Sequence, residues 1–172
     1  GKKFNGEKVM KDAVYKGASG VYCSKQCKFR DKNILIIKKK KLIPLLSELA
    51  SKFYKSKPKN IIAVTGTNGK TAVSDIFYQI LRLNNIRVAS IGTLGIKYNN
   101  KIIKTKLTSP DAITLHKNLN YLKNKKIDNV IIEASSHGLS QKRLHNIKFR
   151  GAILTNFSQD HLDYHKTMKA YL

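Results

Sequence analysis

Apolar and polar positions fall in blocks along this chain, and the period of the blocks changes along it. Ile61, Ile62, Ala63 and Val64 form a short continuous apolar run rich in β-branched residues, the pattern of a strand buried on both faces. Beyond Lys70 the period lengthens. Val73, Ile76, Phe77, Ile80 and Leu81 recur at helical spacing, and Asn84 and Asn85 end that helix. A second strand is expected over 87–91, and "GIKYNNKIIKT" over 95–105 places an Asn–Asn turn between two alternating segments, a hairpin pattern. A helix beginning at Asp111 carries Ala112, Leu115, Leu119 and Leu122, and strands follow over 130–133 and 152–155. Strands alternating with helices predict an α/β unit whose mostly parallel sheet is flanked by helices on both faces.

The first third of the chain reads as a separate, smaller α/β unit. A helix carrying Val9, Ala13 and Val14 precedes "GVYC", then an apolar run over 34–37, then an amphipathic helix whose apolar face is Ile43, Leu46, Leu49, Ala50 and Phe53. The polar, proline-containing stretch "KSKPKN" over 55–60 reads as a linker, so the expected domains are 1–57 and 58–172. No internal repeat or low-complexity segment is visible. The chain opens on Gly1 with no element start and closes on "HKTMKAYL", the beginning of a helix, so a piece of a longer protein is expected.

Composition changes this picture little. With 172 residues, 41% of them hydrophobic, the chain can bury a core. No apolar run approaches the roughly 18 residues of a membrane-spanning helix, and no signal peptide is visible, so no membrane partner is expected. The net charge of +24 raises nucleic acid as an alternative partner, a basic binding module. The excess is mostly lysine scattered along the chain, there is no tryptophan, and no aromatic–basic stacking motif is present, so nucleic acid is not the expected ligand. Cys23 and Cys27, the only cysteines, lack the second pair a zinc site needs and read as ordinary thiols of a reducing cytoplasm.

The chemistry is expected at the strand ends, because ligands of such sheets collect at the carboxyl ends of the strands. The first end is "TGTNGKT" over 65–71, a strand–glycine turn–helix junction like a phosphate-binding loop. Its spacing is short: Val64 stands where G-x-x-x-x-G-K-[ST] would need glycine, and the extra glycine is Gly66. Backbone N–H groups of such a loop meet phosphate at the positive end of the helix dipole, Lys70 reaches the β- and γ-phosphates, and Thr71 offers its hydroxyl to Mg2+. Glu133, emerging from the strand over 130–133, is placed to hold Mg2+ directly or through water. Beyond the last strand, Asp160, His161, Asp163 and His165 could read as a transition-metal site. With a phosphate loop present, a hard cation with phosphate oxygens is the better reading.

"TGTNGKT", "TSPDA", "EASSHGLSQKR" and "TNFSQDHLDYH", in this order, resemble the motifs of the Mur ligases of peptidoglycan synthesis, whose central-domain loop has this same short spacing. "SSHGL" together with "DHLDYH" is most similar to the branch that adds a diamino acid, meso-diaminopimelate or L-lysine, to UDP-MurNAc-L-Ala-D-Glu. The loop alone would not separate this branch from other Mur-type ligases or folylpolyglutamate synthase-like ligases. The resemblance implies ATP-dependent amide bond formation through an acyl phosphate, with ATP and Mg2+ as cofactors, by a cytoplasmic monomer. It implies that 1–57 is the C-terminal part of a UDP-binding domain and 58–172 the N-terminal part of the central ATP-binding domain. It assigns Gly66, Thr67, Asn68, Gly69, Lys70 and Thr71 to the ATP phosphates, Thr71 and Glu133 to one Mg2+, and His161 to a second. Thr108, Ser109, Ser135, Gln141 and Arg143 match its contacts to the muramoyl peptide, and Lys70, Glu133 and His161 are the catalytic set. Three positions depart from its pattern: Ala72 and Ser109 replace threonines, and Leu107 stands where some members have a substrate-contacting asparagine. The family's carbamylated lysine and its C-terminal domain are expected beyond Leu172, so the chain by itself is expected not to complete ligation.

Overall fold

The computed structural model describes residues 5–105 and 107–172, so the first four positions of the expected N-terminal unit lie outside the described residues. The chain divides into two compact units, Gly1–Leu45 and Leu46–Leu172. The first contains a 3-10 turn (Gly6–Val9), helix α1 (Met10–Tyr15) and a two-stranded parallel sheet of β1 (Gly20–Ser24) and β2 (Leu35–Lys39). Cys23 and Cys27 are buried in it, and burial raises the Cys23 thiol above its usual value. Helix α2 (Leu42–Phe53) begins in this unit and ends in the next, so the division by compactness falls within the helix and before the 55–60 segment.

The second unit is a six-stranded sheet in the order β6-β5-β4-β7-β3-β8. Its strands are β3 (Asn60–Thr65), β4 (Val88–Gly92), β5 (Gly95–Tyr98), β6 (Lys101–Ile103), β7 (Asn129–Glu133) and β8 (Gly151–Leu154). β4, β7, β3 and β8 run parallel, and β5 and β6 add an antiparallel edge. The hairpin between β5 and β6 turns on Asn99 and Asn100, both at positive φ (43° and 62°), the conformation a tight twisted hairpin needs and asparagine tolerates.

Alternation along the central strands assigns the two faces. Ile61, Ala63, Ala89, Ile91, Val130 and Ile132 point to one core, filled by Leu115, Leu119 and Leu122 of helix α4 (Ala112–Asn124). Each of these fully buried leucines contributes roughly 1.5–3 kcal/mol. Asp111 caps α4 by accepting from Thr114 N. Helix α3 (Lys70–Leu83) packs against β3, β4 and β7 and contributes nothing to that core, so it covers the opposite face, that of Val64, Val88 and Ile131.

Two helix faces differ from the expected ones. In α3 the buried positions are Ser74 and Tyr78, flanked by half-buried Val73, Phe77 and Leu81, while Ile76 and Ile80 are exposed. In α2 the buried positions are Ser47 and Ala50, while Ile43, Leu46, Leu49 and Phe53 are exposed. A hydrogen-bond constraint turns α2: Ser47 Oγ donates to His145 O at 2.5 Å and lies 3.3 Å from Nε2 of His116, a fully buried residue of α4. His116 Nε2 is 3.2 Å from the same carbonyl. The proton therefore sits on Nε2, and the buried Nδ1 has no partner among the described residues.

Burial, and after it the charge of Lys57, holds the His116 imidazole below its usual 6.5, against the opposing effect of the His145 carbonyl. The folded state then binds this proton less readily than the unfolded state, so acid favours unfolding. Stability is expected to fall as pH drops through the unfolded value near 6.5 toward the lower folded one. His116→Gln, which cannot take up the proton, is expected to show a shallower loss between pH 7 and 5 in urea titrations; an unchanged slope would remove His116 from the account.

Candidate functional site

The carboxyl ends of β3, β4, β7 and β8 converge, and the segments that leave them build one cavity of about 680 Å3. Its wall includes Gly66 to Ala72, Thr93, Thr108, Ser109, Glu133, Ser135, His137, Arg143 and His161. Register explains the meeting of the first two elements: Val64 pairs with Glu133, so the glycine loop begins where the carboxylate emerges.

The loop between β3 and α3 uses Gly66 at φ 132° and Gly69 at φ 84°, a region in which other L-residues are strained. Gly69 is also the N-cap of α3 and supplies no side-chain acceptor, leaving the first amides of a 14-residue helix without a capping group. Lys70 Nζ donates to Gly66 O at 2.6 Å and Thr67 O at 2.7 Å, so its ammonium is folded back over the loop. The loop is laced to the segment after β8. Thr67 N donates to Asn156 O, and Asn68 N to Asn156 Oδ1 at 3.0 Å. Thr155 Oγ1 donates to Asn68 O at 2.6 Å, and Thr67 Oγ1 exchanges hydrogen bonds with Ser158 O and Ser158 N.

Glu133 is only 2% exposed, and its carboxylate accepts three hydrogen bonds. Oε2 accepts from Thr71 Oγ1 at 2.8 Å and Thr93 Oγ1 at 3.0 Å; Oε1 accepts from Thr93 N at 3.0 Å. Gly92 makes room for it, since a Cβ there would lie 1.9 Å from Glu133 Oε1. Thr93 and Gly92 escaped the sequence reading. Their signal was a Gly-Thr pair at the carboxyl end of a strand, the position already searched on the other strands.

The remaining expected residues divide. Thr108, Ser109, Ser135 and Arg143 line the cavity, and Gln141 is not among the lining residues. Ser109 is fully buried, and its hydroxyl donates to Glu133 O at 2.8 Å and accepts from Ser135 N at 3.0 Å. Gly138 packs directly on it, since a Cβ there would lie 2.7 Å from Ser109 Cβ. Arg143 donates to Ser109 O at 2.7 Å and through Nε and Nη2 to Gln141 Oε1, so Gln141 orients the arginine from outside the cavity. His161 stands at φ 51° before helix α5 (Leu162–His165), its ring centroid 4.8 Å from that of His137. Burial, then His161 and His165, lower the His137 imidazole below 6.5, and Asp163 partly opposes them.

The donor set fits a phosphate chain with a hard cation. Uncapped helix amides and Lys70 suit phosphate oxygens, and Thr71, Glu133 and His161 face the same space. Among the described residues no three His, Cys, Asp or Glu side chains are grouped to hold a metal by themselves.

Comparison with known proteins bears on the family and the fold. The model of the Mur ligase middle domain matches residues 64–172. The UDP-N-acetylmuramoyl-L-alanyl-D-glutamate--2,6-diaminopimelate ligase of Wigglesworthia glossinidia brevipalpis is 48% identical over 142 residues, 81% of this chain and 29% of that protein. The ligase of the same name from Zymomonas mobilis subsp. mobilis is 38% identical over 172 residues, 100% of this chain and 35% of that one. A solved structure of a ligase of this name superposes with TM-score 0.77 at 30% identity, over 96% of this chain and 33% of that one. A MurF ligase from Thermotoga maritima in complex with ADP shares the fold, with TM-score 0.62 at 18% identity over 99% of this chain and 36% of that one. The chain spans about a third of the length of the curated relatives it matches.

The two loop glycines should differ in their tolerance of a side chain. A Cβ at Gly66 would lie 2.1 Å from Thr155 Oγ1 and 2.8 Å from the backbone Asn156 O, whereas at Gly69 the nearest atom is 3.9 Å away. Gly66→Ala is expected to lower stability by about 2 kcal/mol or more, from strain and clash together. Gly69→Ala carries the backbone strain alone, about 1 kcal/mol. Urea unfolding of the two variants measures the difference, and equal losses would contradict the lacing described for the loop.

Proposed function

Since this chain belongs to the Mur ligase family, we propose that it forms the nucleotide- and muramoyl-peptide-binding part of an ATP-dependent amide ligase. That ligase adds a diamino acid to UDP-MurNAc-L-Ala-D-Glu. The relatives named for 2,6-diaminopimelate favour that diamino acid over L-lysine. The observation that carries the reading is the single cavity lined by Lys70 and Thr71 at the start of α3, Glu133 at the end of β7, and Arg143 and His161 from later segments. The proposed setting is the cytoplasm, and the acting species a monomer that binds neither nucleic acid nor membrane; among the described residues no helix is long and apolar enough to cross a bilayer.

The physical difficulty of the reaction is bringing an anionic carboxylate of the dipeptide to an anionic γ-phosphate. In the proposed mechanism the loop from Gly66 to Thr71 wraps the ATP phosphates and meets them through the uncapped N–H groups at the start of α3, those of Thr67 and Asn68 being bound to Asn156, and Lys70 leaves its two carbonyl acceptors to meet the β- and γ-oxygens. Thr71 and Glu133 would hold one Mg2+ and His161 a second, and the charge of these ions would offset the repulsion between the two anions. Arg143, its guanidinium oriented by Gln141, lies where it can meet an anionic group of the muramoyl peptide, with Thr108 and Ser135 beside it. Ser109, with its hydroxyl already committed, serves by fixing the backbone that carries Glu133 and Ser135. Once the carboxylate has taken the γ-phosphoryl group, the amine of the diamino acid attacks the acyl phosphate carbonyl, forming the amide and releasing phosphate.

Calorimetry of nucleotide binding tests this reading. Lys70→Ala is expected to remove most of the ATP affinity of the chain, and affinity retained in that variant would exclude the loop as the phosphate site. Glu133→Gln is expected to weaken binding by about tenfold when Mg2+ is present and to leave metal-free binding nearly unchanged. Equal losses with and without Mg2+ would make Glu133 a structural residue only.

A further inference from the structure

Glu133 is held by two threonines whose positions differ in kind. Thr71 stands at the start of α3 and is proposed to meet the cation as well as the carboxylate. Thr93 follows the last residue of β4 and addresses both carboxylate oxygens, Oε1 through its amide and Oε2 through its hydroxyl, each at 3.0 Å. It is the residue of the pair that fixes the carboxylate plane, because two donors from one rigid residue define an orientation that a single hydroxyl does not. Gly92 belongs to the same device: any side chain there would occupy the space of Oε1.

The protons have a fixed order. Thr93 Oγ1 gives its one proton to Glu133 Oε2, and it lies 3.1 Å from Thr108 Oγ1. A hydroxyl has one proton and two lone pairs, so the contact between the two threonines uses the proton of Thr108. The chain Thr108 to Thr93 to Glu133 thus runs one way, toward the carboxylate, and each donation strengthens the next.

We propose that Thr93 is a positioning residue of the cation site, holding both oxygens of Glu133 in the plane from which the carboxylate meets Mg2+ beside the nucleotide phosphates. It acts through Glu133 without touching the phosphate chain, and it rests on the nucleotide–magnesium reading given above.

The test is calorimetric titration of the 172-residue chain with ADP and with ATP, with and without Mg2+, for the unaltered protein, Thr93→Val and Thr93→Ser. Thr93→Val keeps the shape and the amide donor and loses the hydroxyl donor to a charged acceptor. It is expected to weaken Mg2+-dependent binding by about tenfold, with metal-free binding changed far less. Thr93→Ser restores the hydroxyl and is expected to recover most of that loss. In a Glu133→Gln background Thr93→Val is expected to add little, because the group it positions is no longer a carboxylate. Three results would overturn the proposal: Mg2+-dependent binding unchanged in Thr93→Val, equal losses with and without Mg2+, or full additivity with Glu133→Gln. If Thr93→Val does not fold, judged by its thermal transition, Thr93→Ser and Thr93→Ala decide by the same comparison. No nucleotide binding by the unaltered chain would overturn the phosphate-loop reading and this proposal together, whereas normal Mg2+-dependent binding with an indifferent Thr93 overturns the proposal alone.

Discussion

A carboxylate removed from water must be met by donors or it will not stay charged. Glu133 imposes this demand at the centre of the sheet, and the local architecture answers it. β7 carries the residue, β4 on one side delivers Thr93, and β3 on the other leads into the loop and helix that deliver Thr71. The strand order β4-β7-β3 is therefore also the order of the groups around the carboxylate. Gly92 leaves the space that the carboxylate fills, and Ser109 holds the carbonyl of Glu133 itself, so its backbone and its side chain are fixed independently.

Much of this was legible in the sequence because it is local. The continuous run from Ile61 to Val64, the Asn99–Asn100 turn and the leucine spacing of α4 each specify their structure within a few residues, and all three are found as expected. The glycine-and-lysine loop could be placed at a strand–helix junction for the same reason. The buried faces of α2 and α3 could not. Both helices carry apolar residues around more than half their circumference, so periodicity leaves the rotation open. The choice falls to contacts distant in sequence, such as Ser47 with His116 and His145.

The site divides along the same line. Lys70, Thr71, Glu133, Arg143 and His161 carried recognisable chemistry in recognisable motifs, and the fold brings them to one cavity. Thr93 had no motif that the reading used, because its importance lies in a pairing across forty residues of chain. Ser109 and Gln141 matched positions of substrate contact in a resembling family, yet the hydrogen bonds they make here serve Glu133, Ser135 and Arg143. A motif names residue types at a spacing; whether a hydroxyl faces a ligand or a neighbouring carbonyl depends on packing that the spacing does not contain.

The stitching of the glycine loop to the segment after β8 also bears on how the protein comes into being. Thr67 is bonded to Ser158, 91 residues away, and Asn68 to Asn156, 88 residues away. β3 and α3 can draw on nearby contacts early, but the conformation of the loop between them is secured by partners that emerge from the ribosome much later. Closing so long a span carries an entropic cost that local contacts do not repay. The glycine loop is thus among the last parts of this unit to be held in its final form, because its partners follow the outermost parallel strand of the sheet.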